Sequence, residues 1–216
     1  MKDLLKTKSF KQKIKDFFRS QDNRHIFACG ENNQFLAVAP KRAKKIRLRI
    51  YGNDNTIIVK TKERFLADIR IGTQGNPVNQ CKIVIEEGST AEGISIGMLE
   101  NNQSLSFGKD CMLAGNIQIF CSDIHTIYDN ENNVINRGKN LIIGNHVWIG
   151  TGVNIAKNSI IGDNCVVGMK SVVAGKFEEP NCVIAGNPAR VVKHNVNWDR
   201  LPIPNFDKKR TETDNI

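Results

Sequence analysis

A chain of 216 residues has room for one domain with a full core and short extensions. Its 31 Lys and Arg against 22 Asp and Glu leave a net charge of +9, which favours a polyanionic partner; yet only 6% of residues are aromatic and no zinc-finger, helix-turn-helix or basic-zipper pattern is readable, which disfavours nucleic acid. Six dispersed cysteines without a C-x-x-C pair, no apolar h-region after Met1 and no run near the ~18 apolar residues of a membrane span predict a reduced, cytoplasmic protein, at most peripherally membrane-associated, with no thiol-bound metal.

In chain order, Phe10, Ile14, Phe17 and Phe18 follow helical spacing within residues 4–19, which predicts an amphipathic N-terminal helix inside a lead-in segment, 1–45. Alternating runs follow, Ile46-Arg-Leu-Arg-Ile50, Thr56-Ile-Ile-Val59, Ile69-Arg-Ile71 and Cys81-Lys-Ile-Val-Ile85, which read as strands separated by turn clusters such as Gly52-Asn-Asp-Asn55. Their register is not fixed by the pattern.

Beyond them a period of six governs the chain. Ile143, Ile149, Ile155, Ile161, Val167 and Val173 recur with small followers Gly144, Gly150, Ala156, Gly162, Gly168 and Ala174, and with compact residues Val147, Val153, Ser159, Cys165 and Ser171 four places after an anchor. Phe107, Leu113 and Ile119 fall on the same phase, and Ile71 and Ile83 lie multiples of six away. Each hexamer then makes one short strand and a corner. Three make a coil of 18, stacking Ile161 on Ile143, Val167 on Ile149 and Val173 on Ile155. The expected fold is an all-β solenoid, with the β-helix over 46–192 and a Pro-punctuated, charged tail over 193–216 that caps one end and frays.

One segment breaks the repeat: Cys121-Ser-Asp-Ile-His-Thr-Ile-Tyr-Asp129 and the polar stretch to Asn140, a loop extruded near residues 125–141 with His125 at its root. Imidazole titrates near neutrality and suits a general base. Asp123 and Asp129 can orient such a ring or cap turns. His146 is the rival histidine, at a turn position where an exposed side chain is expected.

Three blocks, Ser122-Asp-Ile-His-Thr-Ile127, Ile142-Ile-Gly-Asn-His-Val-Trp-Ile-Gly150 and Pro180-Asn-Cys-Val-Ile-Ala-Gly-Asn-Pro-Ala-Arg190, together with the repeat, resemble the left-handed β-helix acyltransferases. Within these the chain looks most like bacterial O-acetyltransferases of capsular or lipopolysaccharide sugars. The resemblance implies a homotrimer with sites between solenoids, acetyl-CoA as donor, a sugar hydroxyl as acceptor and no metal. It implies His125 as catalytic base and Trp148 lining the site, with Asp123 a candidate orienter. For the cofactor it points to Thr151 and Met169 beside the pantetheine and to Arg190, Lys193, Lys176 or Lys170 for the phosphates. Tyr128, Arg137 and Lys139 suit an anionic acceptor such as a sialic acid. Amino-sugar N-acetylation and antibiotic acetylation are alternative activities on the same fold.

Overall fold

The anchors of the repeat need a dry interior, and stacked coils supply it. A computed structural model describes residues 26–38 and 45–214 as a solenoid of parallel strands. The expected N-terminal helix lies outside the described residues. One face carries the near ends of the strands Phe65–Ile71 and Thr90–Met98, then Met112–Leu113, Trp148–Ile149, Val166–Val167 and Val183–Gly186. A second carries Gln34–Ala37, Thr56–Val59, Lys82–Ile85, Ser104–Phe107, Leu141–Ile143, Ile160–Ile161 and Lys176–Phe177. The third carries Ile26–Cys29, Lys45–Tyr51 and the far halves of Phe65–Ile71 and Thr90–Met98, and continues through Ile117–Phe120, Asn154–Ile155 and Val172–Val173.

The expected columns are present: Ile143 pairs with Ile161, Ile149 with Val167 and Ile155 with Val173. All are buried, as are the corner residues Val147, Val153, Ser159, Cys165 and Ser171. Burying one such aliphatic side chain contributes roughly 1.5–3 kcal/mol, so the columns are the main stabilising element. The small followers are needed because the next coil passes close by. A Cβ on Gly144 would lie 2.3 Å from Asp163 Oδ1 and 2.8 Å from the Asp163 nitrogen. At each corner one residue turns left-handed: His146, Gly152, Asn158, Asn164 and Lys170 have φ of 52°, 71°, 63°, 56° and 60°.

Upstream the coils are longer, and the sixfold phase drawn through Ile71 and Ile83 is not the stacking register. Ile83 lies beneath Leu105, Ile85 beneath Phe107, and Ile71 beside Met98. The cause is the length of Phe65–Ile71 and Thr90–Met98, which run across two faces and shift register between Phe65 and Ala67. Asparagines join these coils: Glu31 N–H donates to Asn53 Oδ1, Asn53 N–H to Asn79 Oδ1 and Asn79 N–H to Asn101 Oδ1, at 2.7, 2.7 and 2.8 Å.

Phe107 pairs with Ile143, Leu113 with Ile149 and Ile119 with Ile155, so the loop of 121–140 leaves between the third and second faces without disturbing the stack. Five cysteines, Cys81, Cys111, Cys121, Cys165 and Cys182, are buried and only Cys29 is exposed; all six are free thiols. Burial pushes the thiols of Cys81 and Cys111 up to about 11 and that of Cys121 to about 12.

The tail departs from expectation. The solenoid closes in the antiparallel hairpin Val183–Gly186 with Ala189–Lys193, and the tail beyond it descends the outside as a strap and ends in the helix Ile203–Asp214 instead of fraying. The strap follows one corner column of left-handed residues, Asn181, Asn164, His146, Asp110 and Gly88. Val196 N–H donates to Asn181 O at 2.9 Å, Asn164 Nδ2 to Asn197 Oδ1, and Trp198 Nε1 to His146 O at 2.8 Å. Arg200 ends the descent, donating to Asp110 Oδ1 at 2.9 Å, Thr90 Oγ1 at 3.0 Å and Cys111 O at 2.9 Å.

Candidate active site

The loop has its own internal order. Tyr128 bridges Val134 antiparallel, Ile135 N–H donates to Ile127 O at 2.9 Å, and the Asp129 carboxylate accepts the N–H groups of Glu131 and Asn133, each at 2.9 Å. Asp129 therefore caps the loop's turn, the second of its two expected roles. The Asn133 backbone hydrogen bond, above all, holds its carboxyl below the ordinary range.

His125 stands exposed at the loop root, and among the described residues no partner reaches its ring. Asp123 takes a different partner from the expected imidazole. Its carboxylate accepts from Lys157 Nζ and from Asn136 Nδ2, the latter at 3.1 Å, and chiefly the Lys157 hydrogen bond holds its carboxyl below the usual range. Beside the root lies a cleft of about 330 Å³ lined by Phe120, Asp123, Ile124, Asn154, Lys157 and Val172.

Trp148 projects outward from the first face, 39% exposed, with Met112 and Val166 as its ladder neighbours. Trp198 of the strap tilts against it at 6.1 Å between ring centroids. With Met112, Leu201, Ile203 and Phe206 the two indoles line a groove of about 750 Å³. His146 belongs to the wall of this assembly. Its ring stacks on Trp198 at 4.0 Å, Nδ1 meets Asp110 Oδ2 at 2.7 Å and Nε2 meets Trp198 O at 3.1 Å. Half-buried and bonded through both nitrogens, it is a structural anchor rather than the exposed turn residue expected.

The expected cofactor residues divide. Thr151 and Met169 occupy one corner on successive coils, and Lys170, whose N–H donates to Thr151 O at 2.9 Å, lays its side chain over Gly152. Arg190 stands one coil further, opposite Ala185 in the hairpin, exposed and donating to Ala189 O at 2.7 Å. Lys193 lies at the hairpin's other end, opposite Val183, and Lys176 on the second face beside Ile160. Among the described residues, Glu179, Cys182 and His194 form the group of three possible metal donors, within 4.8 Å of one another, with His194 Nδ1 bonded to Glu179 Oε1 at 2.9 Å.

Sequence reasoning missed Trp198, Arg200, Asn136 and Lys157. Trp198 carried a signal, as one of two tryptophans in the chain and standing in a polar tail. The other three look like surface residues until the fold brings their partners to them.

Residues 140–175 match the model of the bacterial transferase hexapeptide family (six repeats). The chain is 35% identical over 178 residues to a polysialic acid O-acetyltransferase of Neisseria meningitidis, covering 81% of this chain and 79% of that protein. It is 33% identical over 120 residues to a polysialic acid O-acetyltransferase of Escherichia coli O1:K1 / APEC, covering 55% of this chain and 38% of that protein. The crystal structure of the polysialic acid O-acetyltransferase OatWY matches with a TM-score of 0.64 at 31% identity, over 86% of this chain and 97% of that one.

Proposed function

The chain belongs to the hexapeptide-repeat transferases and is an O-acetyltransferase, and from that premise we propose that it moves acetyl from acetyl-CoA to a hydroxyl of a bacterial surface polysaccharide rich in an anionic sugar such as sialic acid. The observation that carries this reading is the likeness to the Neisseria meningitidis protein across most of both chains. The net charge of +9 and the exposed Tyr128, Arg137 and Lys139 of the loop suit a polyanionic acceptor.

In the proposed reaction His125, its ring free, takes the proton of the sugar hydroxyl as that oxygen attacks the thioester carbonyl. The tetrahedral intermediate then collapses, the acetyl ester forms, and the CoA sulfur leaves with the proton returned by the imidazolium. Thr151, Met169 and Lys170 line the path of the pantetheine, and Arg190 meets a phosphate.

His125 leaves the solenoid between the third and second faces, whereas Trp148 projects from the first. A site using both takes them from two chains, and we read the protein as a homotrimer of left-handed β-helices, with the lead-in 1–45, the solenoid 46–192 and the tail 193–216 as its parts. The exposed apolar loop residues Ile124, Ile127, Tyr128 and Ile135 suit docking on a second copy. Six unpaired cysteines accord with a cytoplasmic enzyme, and no described helix is long and apolar enough to cross a membrane.

The test incubates purified protein and acetyl-CoA with polysialic acid, monomeric sialic acid, a nucleotide-linked amino sugar or an antibiotic acceptor, and follows thiol release. Turnover on the polymer, cut about 10²- to 10⁴-fold at saturation by His125→Ala, is expected. Turnover only on an amine or an antibiotic overturns the proposed acceptor, and a His125→Ala protein with full turnover overturns the base.

A further inference from the structure

His125 lies in a loop, yet one amide side chain holds its carbonyl, the carboxylate two residues before it and the backbone N–H two residues after it. Asn136 Nδ2 donates to His125 O at 2.8 Å and to Asp123 Oδ2 at 3.1 Å, while its Oδ1 accepts the Ile127 N–H at 2.8 Å. Residues 123, 125 and 127 of the outgoing chain are thereby tied to one residue of the returning chain.

Lys157 fixes this frame to the solenoid. It stands at the corner after Asn154–Ile155, and its ammonium bonds the Asp123 carboxylate and donates to Asn136 O at 2.8 Å. Its side chain is only 16% exposed, which an ordinary surface lysine is not. Because Asp123 neutralises it, Lys157 is not a free cation for a phosphate. Ile124, inside the frame, has φ of +70°, a conformation that costs a β-branched residue about 1–3 kcal/mol and persists only where the surroundings over-determine it. The hydrogen bonds of Asp123, His125 and Ile127 flank this strained residue on both sides.

We propose that Asn136 and Lys157 are positioning residues for His125, locking the backbone that carries the imidazole while leaving the ring free to move a proton. The inference rests on the reading of His125 as the base. A displacement of about 1 Å at a reacting group can cost on the order of 10²-fold in rate, so loss of the frame acts on turnover. Donor binding belongs to another corner and should not respond.

The experiment compares Lys157→Met, Lys157→Arg, Asn136→Ala, His125→Ala and the His125→Ala/Lys157→Met double variant, using acetyl-CoA and polysialic acid. Lys157→Met and Asn136→Ala are expected to lower kcat about 10- to 100-fold, leave KM for acetyl-CoA within about twofold and leave the melting temperature nearly unchanged. Lys157→Arg, which keeps the charge and the donors, should recover part of the loss. On the His125→Ala background, Lys157→Met should cost nothing further, because a positioning residue has no effect once its charge is gone. Full turnover in both Lys157→Met and Asn136→Ala, or a loss that persists undiminished without His125, overturns the positioning role and leaves the base standing. Full turnover in His125→Ala overturns the base and the positioning role together.

Discussion

Replacing Arg200 with alanine tests whether the strap is held by the contacts described. The guanidinium reaches Asp110 Oδ1, Thr90 Oγ1, Gly88 O, Asp110 O and Cys111 O at 2.9, 3.0, 3.2, 3.2 and 2.9 Å. A hydrogen bond to a charged group contributes ~1.5–3 kcal/mol when desolvated, but this side chain is 32% exposed and each bond is discounted for solvent. Taking roughly 0.6 kcal/mol apiece gives about 3 kcal/mol for docking of the strap, or a ~10²-fold rise in its undocked population on Arg200→Ala. The chain has two tryptophans, so two indole N–H signals suffice to read it. The Trp198 indole proton, donated to His146 O at 2.8 Å, should exchange with solvent about 100-fold faster in the variant, while core amides such as Ile149 do not change. Arg200→Lys should recover less than half, since one ammonium cannot span the same five acceptors. An unchanged indole exchange rate in Arg200→Ala refutes the argument, because the strap would then be held by other contacts.

Arg190→Ala should raise KM for acetyl-CoA several-fold with kcat little changed, as befits a phosphate contact remote from the thioester, and an unaltered KM removes Arg190 from the donor site. Ile149→Ala, fully buried in the column of Leu113, Ile149, Val167 and Ile184, should cost about 2–5 kcal/mol and lower Tm by roughly 5–15 °C by calorimetry. A loss under about 1 kcal/mol would mean the column is not continuous. The depressed carboxyl of Asp123 stabilises the loop root at pH values above its unfolded pKa of about 3.9, and this contribution is lost as pH falls through the lower folded value. The exchange protection of the Ile127 amide should therefore stay level from pH 7 to about 4 and drop below that; a decline already under way at pH 6 would point to a different titrating group.

Legibility in the sequence followed the distance between partners and the regularity of the coil. From Ile143 to Val173 the coil repeats without insertions, so one count by six located the anchors, the small followers and the corner residues before any contact was known. Upstream, the same count failed on Ile83 because strand length there is set by two-face strands and a shifted register. The turn residues were visible but unread: Asn158, Asn164 and Asn181 are left-handed, the conformation asparagine tolerates best after glycine. His125 and Trp148 stand out through the local blocks around them, and their roles rest on the proposed function. The carboxylate of Asp123 meets Lys157 and Asn136, and nothing near Asp123 in the chain announces Lys157. The strap was invisible for the same reason, as Arg200 meets partners some ninety or more residues away.

The buried cysteines determine how the enzyme can be assayed and labelled. A thiol with a pKa of about 11 keeps only about one part in a thousand as thiolate at pH 8, and Cys81, Cys111 and Cys121 are in addition closed to solvent. In the folded protein a disulfide reagent therefore reads released CoA against a background of one protein thiol, that of the exposed Cys29. Blocking Cys29 in advance removes even that. Conversely, a maleimide dye placed on Cys29 marks the strand Ile26–Cys29 at a single point of the native sequence, and the appearance of five further reactive thiols under denaturant provides a direct count of solenoids that have come apart.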